Sequence, residues 1–80
     1  MERTEILNKI ETILSSAVET DNFEFSENLV AKEVAGLDSV AIAMIITSIE
    51  QDFSIKFKFA EIVSWKTFGE LADIIQSKLS

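Results

Sequence analysis

Chemistry in this chain has few residues to rest on. It contains no histidine and no cysteine, which removes Ser-His and Cys-His nucleophilic pairs, thiolate catalysis and the usual zinc ligands together. No Gly-rich phosphate loop is present and the carboxylates lack calcium-loop spacing, so neither intrinsic catalysis nor a resident metal is expected. One hydroxyl stands apart. Gly36-Leu37-Asp38-Ser39-Val40 brings the chain to a turn, offers adjacent capping oxygens in Asp38 and Ser39, and leads into a helical pattern unbroken to Phe53. Ser39 is thereby placed at a helix start, beside the positive end of the dipole and its unpaired backbone N–H groups. That setting suits a phosphate ester. On spacing alone, a plain capping role for Asp38 or Ser39 accounts for the pair equally well.

The helix behind Ser39 puts Ile42, Ile45, Ile46, Ile49 and Phe53 at helical intervals, over more residues than an ordinary strand holds. Val40, Ala43, Met44 and Thr47 form a second stripe, apolar where a surface helix is polar, and suited to a partner. Ahead of it, Ile6, Leu7, Ile10, Ile13, Leu14, Ala17 and Val18 define a first helix. Glu19 to Lys32 has no sustained period and reads as a long connection with at most a brief helical turn, pinned by Phe23, Phe25, Leu29 and Val30. Carboxylates such as Asp21 and Glu24 are solvated loop charges on this reading.

Ile55-Lys56-Phe57-Lys58-Phe59 alternates like a strand, yet a lone strand has nothing to pair with in such a chain. An extended connection with core-facing phenylalanines and solvated lysines is expected instead, leading to a short third helix from Phe59 to Ser64. Thr67-Phe68-Gly69-Glu70 has capping-box spacing and opens a last helix with Phe68, Leu71, Ala72, Ile74, Ile75 and Leu79 on its inner side. Lys78 near its end suits the dipole. Trp65 is expected to anchor the core or its rim, its indole N–H turned to a polar partner.

Eighty residues, 48% of them hydrophobic, with no proline and two glycines, bound the chain to one helical domain over 1–80, near the size at which a single core just suffices. The absence of cysteine leaves nothing pointing to an oxidising compartment. No apolar run is long enough to span a bilayer and the first residues lack a signal-peptide layout, so a cytoplasmic monomer is the expectation. A formal net charge of −7 argues against nucleic acid, which needs clustered Lys or Arg. From Glu11 to Asp52 nine acids face one base, Lys32. Such a surface would favour encounter with basic partners, or merely keep a small domain in solution.

Three stretches together resemble a known family. Gly36-Leu37-Asp38-Ser39-Val40 is similar to the Gly-x-Asp-Ser-Leu attachment motif of acyl and peptidyl carrier proteins. Glu50-Gln51-Asp52-Phe53 resembles the acidic, Phe-ended close of that family's second helix, and Thr67-Phe68-Gly69-Glu70-Leu71-Ala72-Asp73-Ile74-Ile75 resembles its last helix. The resemblance implies an all-α, four-helix acyl-carrier-like bundle with a long first loop and a short third helix. It implies 4'-phosphopantetheine transferred from coenzyme A to Ser39 by a phosphopantetheinyl transferase, with Asp38 orienting the site or contacting the transferase's metal. The arm's thiol would then hold acyl or aminoacyl groups as thioesters for loading and processing enzymes, in fatty-acid, polyketide or related biosynthesis, with the acyl chain able to slip between helices.

The chain also departs from the family. Ala41 and Met44 stand where acids that dock basic enzyme patches are usual, while Asp38, Glu50 and Asp52 remain, and Lys56, Lys58 and Phe59 stand where a proline and acids are usual. A specialised carrier is expected, recognised through Val40, Ala43, Met44, Thr47 and Glu50 more by shape and apolar contact than by charge. The alternative from another class is an unmodified acidic helical module that binds a protein through the Val40, Met44 and Thr47 face.

Overall fold

The computed structural model describes residues 2–18 and 23–79. Four α-helices follow in order: α1 (Arg3–Ala17), α2 (Ser39–Phe53), α3 (Phe59–Ser64) and α4 (Phe68–Leu79), with one 3₁₀ turn, Ala31–Glu33, between α1 and α2. This is the expected all-α four-helix architecture, with the short third helix in its expected place and not the strand that the local alternation suggests. Residues 19–22 of the first connection, Asp21 among them, lie outside the described residues.

The core forms where α1 packs on α2 and α4. Ile6, Ile10, Leu14 and Val18 meet Ile45, Ile46, Ile49 and Phe53 from α2 and Phe68, Leu71, Ala72 and Ile75 from α4, all buried. A fully buried side chain of this size contributes roughly 1.5–3 kcal/mol. Leu7, Ile13 and Ala17 flank the α1 stripe, partly buried, as do Phe23, Phe25 and Leu29 from the first connection.

Three expectations are corrected. On α2 the core ridge runs Ala41, Ile45, Ile49, Phe53, so Ala41 is 6% exposed and Ile42 is only half-buried. Ala41 therefore leaves the docking surface, where its lack of charge had counted as a departure. Phe59 does not face the core: it is 78% exposed, because the backbone turns helical there and the two-residue alternation that buries part of Phe57 ends. Leu79 is exposed too; it closes α4, and the buried stripe has already ended at Ile75.

The first connection is fastened to the start of α4, and this fixes the wall beside Ser39. Val30 and Thr67 form an isolated antiparallel bridge. Around it, Ala31 N donates to Lys66 O (3.0 Å), Phe68 N to Leu29 O (3.1 Å) and Gly69 N to Glu27 O (2.9 Å). Gly69 is required here because a Cβ would lie 2.8 Å from Glu27 O. Arg3 ties the same parts together from α1: its guanidinium pairs with Glu27 and with Asp73 (2.8 Å) and donates to Gly69 O (3.1 Å) and Gln76 Oε1 (2.9 Å). These contacts, the Glu27 bond above all, raise the Arg3 pKa.

Short elements are held by carboxylates on backbone N–H groups. Thr67 and Glu70 form the expected capping box, Glu70 N donating to Thr67 Oγ1 (3.2 Å) and Thr67 N to Glu70 Oε1 (3.1 Å), with Lys66 N adding a bond of 2.7 Å. These N–H groups hold the Glu70 carboxyl below its ordinary range. Glu61 does the same for α3. It accepts the Lys58 N–H at 2.8 Å and pairs with Lys78 at 2.8 Å, and both depress its pKa, the backbone bond first. Lys78 also lies over the Phe57 ring, 5.7 Å from its centroid, so its role is to fasten α4 to the α2–α3 connection as well as to oppose the dipole.

Candidate functional site

The chain enters α2 through a turn whose geometry follows from its residues. Gly36 has φ +85° with open space where a Cβ would project, so its glycine is needed for backbone conformation and not for room. Leu37 is partly buried against the core and anchors the turn. Asp38 is extended, at φ −101° and ψ −175°, and its carboxylate accepts the Ala41 N–H at 2.9 Å. Asp38 alone is the side-chain cap, which separates its role from that of Ser39. With the cap filled by its neighbour, Ser39 is exposed and its hydroxyl has no capping duty. It occupies the first position of a fifteen-residue helix, where the leading N–H groups have no intrahelical acceptor and the dipole favours negative charge.

A groove opens beside this serine. About 500 Å³ in volume, it runs between the first position of α2 and α3, lined by Ser39, Ile42, Ala43, Ile62, Val63 and Trp65, and along its other side by Val30, Ala31, Lys32 and Lys66. That volume lies within the roughly 300–1,000 Å³ of ordinary small-ligand sites. Half-buried Ile42 is explained by it, since the side chain forms part of the floor. Trp65 anchors the core as expected, its buried ring tilted against Phe68 with centroids 5.5 Å apart, but the expected polar partner is missing: its Nε1 has no hydrogen-bond partner among the described residues.

The second stripe of α2 stands clear of the core. Val40 is 69% and Met44 58% exposed, and Ala43 and Thr47 are exposed between them. Thr47 Oγ1 donates to Ala43 O (3.0 Å), so its hydroxyl is satisfied within the helix. Glu50 is engaged internally, its carboxylate accepting the Phe57 N–H at 2.8 Å and steadying the connection to α3. Among the described residues no group of three or more His, Cys, Asp or Glu side chains could hold a metal ion, and no helix is long and apolar enough to cross a membrane.

Sequence reasoning singled out Ser39 and its turn but missed the groove wall, and Lys32, Trp65 and Lys66 with it. Trp65 and Lys66 lie between two helices, and Lys32 is far from both in sequence. Only the Val30–Thr67 bridge brings them together, and no periodicity announces an isolated bridge.

An exposed hydroxyl thus stands at the capped start of α2, beside a groove, on an all-α bundle. The chain belongs to the phosphopantetheine attachment site family, whose model matches residues 4–75, a span that includes the turn, all of α2 and the first part of α4. Members of that family bear a covalently attached 4'-phosphopantetheine and serve as carriers. Over 77 residues the chain is 26% identical to an acyl carrier protein of Thermotoga maritima, covering 96% of this chain and 95% of that protein. No solved structure matches it.

Proposed function

We propose that Ser39 is the attachment residue and that the chain, as one domain over 1–80, carries acyl or aminoacyl groups on its arm in a specialised pathway. The observation that carries this is the division of labour at the turn: Asp38 caps α2, which leaves the neighbouring hydroxyl exposed beside uncompensated helix N–H groups able to stabilise a phosphodiester. The residues fit the group. In the transfer, Ser39 Oγ forms a bond to the pantetheine-side phosphorus of coenzyme A. The pyrophosphate link to that phosphorus breaks, adenosine bisphosphate leaves, and the hydroxyl proton passes to a base on the transferase, since this chain supplies none.

Once attached, the arm's thiol holds cargo as a thioester, and tethering raises the effective concentration of that cargo at successive enzymes. The groove at Ser39 gives the arm or its cargo an apolar place to shelter. Val40, Ala43, Met44 and Thr47 form the recognition face beside the attachment point. Glu50, occupied by the Phe57 N–H, serves that face mainly by holding the helix end in place. Met44→Glu should accordingly weaken a native partner more than Glu50→Gln, and the reverse ranking would refute apolar recognition.

Intact mass after co-expression with a phosphopantetheinyl transferase tests the attachment. The mass should rise by one arm, and Ser39→Ala should abolish the gain. No gain with several transferases would instead support the unmodified interaction module.

A further inference from the structure

The groove beside Ser39 is charged in the opposite sense to the rest of the molecule. Acids outnumber bases 14 to 7 in the chain, yet the groove is lined by two lysines and by no carboxylate. Both lysines belong to the groove lining supplied by the first connection and the α3–α4 junction. Ala31 N donates to Lys66 O across the Val30–Thr67 bridge, which seats Lys32 and Lys66 one residue apart on facing segments. Neither lysine is in an ion pair with a described residue. Glu33, next to Lys32 in sequence, is exposed and does not line the groove; Glu70, four residues beyond Lys66, feels the Lys66 charge, but its carboxylate is taken up by the backbone N–H groups of Lys66 and Thr67.

A second, independent feature lies in the same wall. Trp65 Nε1 is the one buried side-chain polar atom among the described residues without a hydrogen bond. Leaving such a donor unpaired in a small core is costly. The atom has no contact with solvent and belongs to a residue that lines the groove, so an acceptor reaches it only when that wall moves.

We infer that the groove selects tethered cargo bearing an anionic, acceptor-rich terminus, a carboxylated acyl chain, over a plain hydrocarbon chain and over a cationic one. This rests on the carrier reading and narrows it. Ile42, Ala43, Ile62 and Val63 accept the methylene portion, Lys32 and Lys66 meet the carboxylate, and the Trp65 N–H gains an acceptor when its wall moves. Cargo with a free ammonium group meets two like charges, so an aminoacyl thioester is disfavoured in this groove. The phosphodiester at Ser39 offers the same anionic chemistry from another source, and the experiment separates the two.

A transferase and coenzyme A thioesters would load three chains on the same six-carbon acyl skeleton: hexanoyl, adipoyl and 6-(trimethylammonio)hexanoyl. Intact mass comes first, since failure to load at Ser39 overturns the carrier reading itself. On loaded protein, the indole N–H resonance of Trp65, the chain's single tryptophan, and the rate of thioester cleavage by hydroxylamine report on the groove. Adipoyl should shift that resonance downfield and be cleaved about two- to fivefold more slowly than hexanoyl for each lysine engaged, with the cationic chain least protected. Lys32→Gln with Lys66→Gln should erase the ranking, and Trp65→Phe should narrow it. Equal protection of all three loaded chains, or a ranking that survives the lysine changes, overturns the inference. So does an indole shift already complete with the cargo-free arm, which would assign the lysines to the phosphodiester.

Discussion

Gly69→Ala sets two well-defined effects against each other. In a helix, alanine is favoured over glycine by up to about 1 kcal/mol, so on propensity alone the substitution stabilises α4. The new methyl would however lie 2.8 Å from Glu27 O and 3.0 Å from Glu27 Cβ, atoms fixed to the backbone that no rotamer change can withdraw. The first connection must retreat. Retreat lengthens the 2.9 Å bond from Gly69 N to Glu27 O, worth about 0.5–1.5 kcal/mol, on top of overpacking at about 1–3 kcal/mol. The net expectation is a loss of about 1–3 kcal/mol, or roughly 4–8 °C in thermal midpoint per kcal/mol for a domain of this size. Equilibrium unfolding in urea would show it as a lower midpoint at unchanged slope. Because Val30, Ala31 and Lys32 follow Glu27 into the groove wall, any protection of cargo there should fall as well. A variant equal to or more stable than the parent would show that this junction yields freely and does not fix the wall.

Asp38→Ala removes the acceptor for the Ala41 N–H and should cost about 1 kcal/mol in urea unfolding, with faster hydrogen exchange in the first turn of α2; an unchanged midpoint would deny the cap its role. Ser54 closes α2 at φ 56° and ψ 46°, a left-handed conformation that a side chain adopts at a cost of about 1–2 kcal/mol, so Ser54→Gly should raise the urea midpoint, and a lowered one would refute the strain. Glu61 and Glu70 have folded pKa values below the ordinary 4.5, so the unfolded chain binds their protons first as pH falls. Their contribution is complete above that value and is lost as pH drops through the depressed values. The thermal midpoint should fall on acidification, less steeply in Glu70→Gln, and a midpoint that rises towards low pH would reverse the sign.

Much of this molecule is legible in the sequence because its strongest physical terms are local or periodic. The α1 stripe, the α4 stripe, the Thr67–Glu70 box and the turn before Ser39 each need only residues within a few positions of one another, and each forms as its spacing implies. Phe59 shows where that reasoning stops. A period of two buries alternate residues only while the backbone stays extended, and the change to helix at Phe59 depends on Glu61 capping Lys58 N, a contact that alternation does not encode. Ala41 shows a different limit: a helix whose two stripes are both apolar leaves its rotation undetermined by composition, and packing against α1 decides it. Arg3 was passed over because its partners Glu27 and Asp73 are set beside it only by the tertiary fold.

The same distinction separates the two parts of the site. Attachment chemistry needs a nucleophile, a cap and a helix start, all supplied within Gly36 to Ala41, so a short motif suffices to specify it. Selection among cargoes needs a concave wall, and here the wall is assembled from the first connection, α2 and the residues between α3 and α4. Substitutions at Lys32, Trp65 or Lys66 can alter the charge and hydrogen bonding of that wall without touching the turn at Ser39. On the proposed reading, a fold organised in this way would keep one attachment step while varying what its arm shelters, and the charge of the groove, opposite to that of the whole chain, would then be the property that points to its cargo.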